Sequence, residues 1–97
     1  MENGKDVMIQ FINMKDNQIL LNKDNNKLPT IHIKEDYYSL DNIKYYLSLY
    51  LNIKVDNLKN IKDEYYYFDT NDELKDYIYT SIDNIEDNIV KDIINCL

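Results

Sequence analysis

The spacing of hydrophobic positions changes character along the chain, and each change marks an element. Val7 to Met14 (VMIQFINM) is a run of β-branched and aromatic residues, and Gln18 to Asn22 (QILLN) is a second short apolar run. Between them lies Lys15-Asp16-Asn17, turn chemistry that tolerates a left-handed residue, so the two runs predict an antiparallel hairpin. Lys23 to Lys27 is a polar loop, which Leu28-Pro29 ends in extended backbone because the residue before proline is pushed out of the helical region. Thr30 to Lys34 (TIHIK) then alternates as a third short strand.

At Leu40 the period becomes helical: Leu40, Ile43, Leu47, Tyr50 and Leu51 form one stripe that the pattern predicts to be buried. Ser39 is placed to cap this helix by accepting a free amide of its first turn, Asp41 puts negative charge at the positive end of the helix dipole, and Asn52 closes it. Val55 to Asn57 turn the chain into Leu58 to Asp69, where Tyr65 to Phe68 read as a strand. Thr70-Asn71-Asp72-Glu73 fits a capping box, and Leu74, Ile78, Ile82, Ile85, Ile89 and Ile93 follow at steps of three and four with no proline or glycine, which predicts a long C-terminal helix. On that helix Asp72, Asp76, Asp83 and Asp87 would share the opposite face, with Glu86 on its flank, and the pattern decays after Ile89. The expected fold is therefore α+β: a small antiparallel or mixed sheet packed with two helices, the second long and C-terminal.

The 97 residues suffice for one domain with one core. With 44% hydrophobic and 30% charged residues, the composition is that of an ordinary globular chain and not a disordered one. No run approaches the roughly 20 apolar residues of a membrane span. The start, MENGKDVMIQ, lacks the basic segment and long apolar region of a signal peptide, so the expected location is the cytoplasm. Cys96 is the only cysteine, which excludes an internal disulfide and allows a zinc site one thiolate at most.

Charge changes the picture by its placement. The formal net charge is -7; residues 1–68 hold ten acidic side chains against nine lysines, and residues 69–97 hold eight against two. The excess on the final segment disfavours direct contact with nucleic-acid phosphates or anionic membranes and favours a basic protein surface as partner. Closely spaced carboxylates on a rigid helix would imitate a phosphate backbone in a basic groove. In size and charge the chain is similar to small acidic phage inhibitors, the anti-CRISPR proteins among them, a likeness that implies inhibition of a nucleic-acid-binding partner by contact.

The stretch from Leu28 to Val55 resembles the Nudix box in spacing: Gly, five residues, Glu, seven residues, then Arg-Glu-U-x-Glu-Glu-x-Gly-U, where U is aliphatic. Laid on without gaps, the pattern puts its aliphatic positions on Leu47 and Ile53. Its first Gly falls on Ile31 and first Glu on Tyr37, its Arg-Glu on Tyr45-Tyr46, its Glu pair on Leu49-Tyr50 and its last Gly on Asn52. The glutamates of that family hold divalent metal at a diphosphate, and hard cations need oxygen ligands that tyrosine and leucine do not supply in their place. The resemblance implies a Nudix-like β-β-β-α-β part over about residues 7–69, departing from the family where residues 70–97 would replace further strands by helix alone. It also implies a protein that is not an enzyme, without metal or cofactor.

Enzymatic readings of single residues fare no better. His32, the only histidine, reads as a surface or half-buried strand residue, and a Cys-His pair would need Cys96 folded back onto the third strand. The only glycine, Gly4, builds no phosphate loop. Glu35-Asp36 and Asp63-Glu64 are the nearest candidates for a carboxylate metal site, with solvated turns as the plainer reading. With Leu40, Ile43 and Leu47 facing the core, Tyr45 and Leu49 project from the other side of their helix. They are either covered by the C-terminal helix or exposed as an apolar anchor for a partner. The expectation is a non-enzymatic binding protein that uses Asp72, Asp76, Asp83, Glu86 and Asp87 for attraction and Tyr45 and Leu49 as anchor. A nucleotide sensor acting through tyrosine stacking, a divergent metal-dependent hydrolase and a homodimer are the alternatives.

Overall fold

A computed structural model describes residues 6–34 and 39–97. The first strand, β1 (Asp6–Ile12), runs straight on through Asn13 into β2 (Met14–Lys15), and β2 turns back into β3 (Gln18–Asn22). Lys15 pairs with Gln18, so Asp16 and Asn17 form a two-residue turn, and both have positive φ, 50° and 63°. That conformation matches the right-handed twist of the paired strands, and Asp and Asn tolerate it best after glycine. The predicted hairpin is thus present, but β1 and β2 belong to different sheets.

β1 lies inside a four-stranded mixed sheet. It pairs antiparallel with β4 (Thr30–Lys34) and parallel with β6 (Tyr65–Asp69), and β6 pairs antiparallel with β5 (Asp56–Lys62). β4 and β6 fall where the sequence pattern places strands, whereas β5, with its sparse apolar residues and two register shifts, carries no clear alternation. β2, β3 and β7 (Tyr77–Ser81) form a second, antiparallel sheet.

Alternation along β1 divides the interior. Ile9 and Phe11 join Ile31, Ile33, Tyr66 and Phe68 in one cluster, where the Phe11 and Phe68 rings meet edge to face at 6.2 Å and 81°. Helix α1 (Leu40–Leu51) covers this side with Ile43, Leu47 and Leu51. Ile12 joins the other cluster, with Ile19, Leu21, Tyr65 and two residues of helix α2 (Asn88–Asn95), Val90 and Ile93. Buried Asn13 ties the sheets together: its Nδ2 donates to the Phe68 carbonyl at 2.8 Å, its Oδ1 accepts from the Tyr79 hydroxyl, and its own carbonyl accepts from the Leu20 amide at 3.0 Å.

The long helix predicted over residues 70–97 is not formed. That segment is a turn, β7, a 3-10 turn at Ile82–Asn84 and α2, which has eight residues. Thr70 is buried, and its Oγ1 accepts from the Asp72 amide at 3.1 Å, closing a local turn where a capping box was expected. Tyr77 and Tyr79 point inward and Ile78 is exposed, a period of two that pairs β7 with β3 from Gln18↔Ser81 to Asn22↔Tyr77. The bare edge of β3 gives this tyrosine- and β-branched segment a hydrogen-bonded partner, and tertiary pairing overrides local helix spacing. Asp87 then starts a new helix in a new phase, accepting from the amides of Ile89 at 2.9 Å and Val90 at 3.3 Å. Val90 therefore faces inward and Ile89 outward, the reverse of the prediction at these two positions, while Ile85 and Ile93 of the predicted stripe are buried. Residues 70–97 therefore contain a strand, β7, where helix alone was expected. Among the described residues no helix is long and apolar enough to cross a membrane.

Candidate binding surface

Helix α1 has the caps its sequence predicts. The Ser39 hydroxyl accepts from the Asn42 amide at 3.3 Å, and Asn52 adopts φ 55°, ψ 48° and donates its amide to the Ser48 carbonyl. The buried stripe is narrower than expected, because only Ile43, Leu47 and Leu51, four residues apart, reach the sheet. Leu40 and Tyr50, assigned to that stripe by spacing, are half exposed or more.

The outward side of α1 carries exposed aromatic and aliphatic side chains beside Asp41 and Lys44. Tyr45 is 58%, Leu49 61%, Tyr50 60% and Tyr46 40% exposed, and the Tyr45 and Tyr46 rings stack edge to face at 5.4 Å and 72°. No C-terminal helix covers Tyr45 and Leu49, and both side chains are exposed. Tyr46 and Tyr50 extend the patch; Tyr46 directly follows Tyr45 in the sequence, whereas helical spacing assigned Tyr50 to the buried stripe. At the end of the patch, burial and the neighbouring Tyr50 push the Tyr77 hydroxyl up to about 12, so Tyr77 is a neutral hydrogen-bonding group at any ordinary pH.

Two hollows flank Tyr50. One, of about 480 Å³, runs beside β4 and is lined by Leu28, Thr30, Ile31, His32, Tyr46 and Tyr50. The other, of about 510 Å³, lies at the C-terminal end of α1, where Asp24, Glu73 and Asp76 face it with Lys75 as the one cation. A third cleft of about 780 Å³ lies across the four-stranded sheet from α1, floored by Met8, Gln10 and Tyr65 and walled by residues 84–90. Within it the Gln10 amide donates to the Tyr65 hydroxyl at 3.3 Å, and burial together with Glu64 holds that phenol above its ordinary pKa.

Asp72, Asp76, Asp83 and Asp87, predicted to share a helix face with Glu86 on its flank, do not, since the long helix is absent. Asp72 accepts from the Lys54 amide at 2.7 Å and fastens the turn after β6 to the end of α1. Asp76 lines the acidic hollow, Asp83 sits in the 3-10 turn, Glu86 lines the large cleft, and Asp87 caps α2.

Among the described residues no cluster of three or more His, Cys, Asp or Glu is arranged to hold a metal ion. Asp63-Glu64 forms the β5–β6 turn; Glu35-Asp36, and Tyr37 of the Nudix spacing, lie outside the described residues. His32 is exposed on β4, and Cys96 is exposed beyond α2. Family models, curated proteins and solved structures all contain no match to this chain.

Proposed function

We propose that this chain is a non-enzymatic binding protein that recognises a basic protein surface through the outward side of α1. The observation that carries the reading is the run of exposed Tyr45, Tyr46, Leu49 and Tyr50 on a helix whose other side is anchored in the core. Aromatic side chains on a rigid element lose little conformational freedom when covered, which makes them effective anchors. Carboxylates beside the patch and the net charge of -7 favour a cationic partner, chiefly by accelerating encounter. A basic nucleic-acid-binding protein, inhibited by occlusion, is the class of partner this chemistry suits, in keeping with the resemblance to small phage inhibitors. Aromatic and aliphatic side chains at the metal-binding places of the Nudix spacing support recognition without turnover.

The test is Tyr45→Ala with Leu49→Ala. Both side chains are exposed, so the double variant keeps its melting temperature while losing capture of the native partner from host cells. Unchanged capture sinks the proposal. The 780 Å³ cleft, with its Gln10 amide and Tyr65 phenol, favours a second reading as a nucleotide sensor, which saturable heats in calorimetry against a nucleotide panel would bring to the front.

A further inference from the structure

Backbone geometry beside the aromatic patch says how a partner could be held there. β4 is an outer strand of the four-stranded sheet, and its ladder with β1 is regular from Asp6↔Lys34 to Gln10↔Thr30. The other outer strand, β5, is broken by two register shifts. The Phe11 amide donates to the Pro29 carbonyl at 2.9 Å, so in an antiparallel ladder Ile31 and Ile33 also bond inward to β1. The amides and carbonyls of Thr30, His32 and Lys34 consequently point away from the sheet, and among the described residues no strand pairs with them. Such an edge is a template for another strand unless something blunts it. Here the hollow along β4 lies under Tyr46 and Tyr50, which would cover the side chains of an added strand.

The charge along this path has a direction. Lys34 at one end is paired with Asp6 at 3.0 Å. Past Thr30 at the other end, Lys27 lines the β4 hollow, and Asn22 and Tyr50 are shared with the second hollow, where Asp24, Glu73 and Asp76 outnumber Lys75. The carbonyl end of α1 adds its partial negative charge there. A chain leaving β4 on that side therefore meets carboxylates.

We infer that β4 receives an extended, basic segment of the partner protein as an added strand, its apolar side chains under Tyr46 and Tyr50 and a lysine or arginine reaching Asp24, Glu73 and Asp76. This rests on the reading of α1 as the binding surface and names the element that surface recognises. Main-chain bonds supply affinity in such complexes, and the flanking hollows select the sequence. Its own net charge of -7 disfavours a second copy of the chain as occupant.

The experiment selects short random peptides on the immobilised protein and measures the enriched ones by anisotropy at low and high salt. The expected winners are basic and alternate apolar residues, weaken with salt, and shift the amide resonances of Thr30, His32 and Lys34. They bind His32→Pro at least about tenfold more weakly than His32→Ala, because proline removes an outward amide without touching the bonds to β1, whereas alanine removes only the side chain. The amide shifts are read on the unaltered protein, so the test survives a His32→Pro variant that does not fold. Winners that are acidic or indifferent to salt, shifts confined to α1, self-association through β4, or no enrichment each overturn the inference. Peptides lost on Tyr45→Ala with Leu49→Ala but kept on His32→Pro remove the added strand and leave the helix surface standing. Peptides kept on both remove the two together.

Discussion

Asn13 donates its side-chain amide to the carbonyl of Phe68 at 2.8 Å across 55 positions of sequence, and the same carboxamide accepts the Tyr79 hydroxyl. One buried side chain thus satisfies a strand of each sheet. Replacing Asn13 by Ala leaves both partners without their bond, and unpaired buried polar groups cost about 1–3 kcal/mol each. Urea unfolding of Asn13→Ala should show a loss of about 2–4 kcal/mol, and Tyr79→Phe about 1–2 kcal/mol. A loss below about 0.5 kcal/mol for Asn13→Ala would mean that the sheets hold together without this link.

The two sides of α1 should respond oppositely to truncation. Leu47 is fully buried, so Leu47→Ala removes packed methyl groups and should cost about 2–5 kcal/mol. Leu49 is 61% exposed, and Leu49→Ala should stay within about 0.5 kcal/mol of the parent. Thermal melts of the two variants side by side decide the matter.

Asn52 ends α1 at φ 55°, a conformation that costs most residues about 1–2 kcal/mol. Asn52→Ala should therefore lower stability by about 1 kcal/mol, whereas Asn52→Gly, free of that steric cost, should lie within about 0.5 kcal/mol of the parent. Chemical denaturation of both variants measures the difference. An alanine variant as stable as the glycine one would show that the left-handed cap is not held in solution.

Alkali should weaken the fold through two tyrosines. Burial first, then Asp69, pushes the Tyr67 phenol up to about 12, and burial with Tyr50 does the same for Tyr77, against an ordinary value of 10.0. Because both folded values are raised, their contribution is fully present below pH 10 and is lost as pH rises toward 12. The melting temperature should fall across that window, less steeply for Tyr77→Phe. Phenolate absorbance should show Tyr67 and Tyr77, with Tyr65 raised in the same direction, ionising late in the folded protein and with the rest after denaturation.

Local chemistry made several elements legible: the Asp16-Asn17 turn, the alternation of Thr30 to Lys34, and the Ser39 and Asn52 caps of α1 each depend on a few neighbouring residues. What failed was decided at a distance. Thr70 and Glu73 satisfy a capping pattern, and isoleucines recur every three or four residues, yet β3 offers residues 77–81 five paired positions that no local window contains. Period and partner competed, and the partner won. The same error put four carboxylates on one face, and Glu86 on its flank, of a helix that is not there. Tyr45 and Leu49 were placed correctly on the far side of α1, but whether anything covered them depended on the fate of the C-terminal segment. Tyr50 was lost to the core stripe because spacing alone cannot tell the edge of a buried stripe from the start of an exposed one.

The continuous run of β1 into β2 also dictates a birth order. A nascent chain can close the β2–β3 hairpin as soon as those residues leave the ribosome, yet β1 meets its parallel neighbour only when Tyr65 to Tyr67 have been made, and β3 its second neighbour only at Ser81. Until then Phe11 and Ile12 lack the part of their cover that β6 supplies, and β4 is the one strand already available to pair with β1.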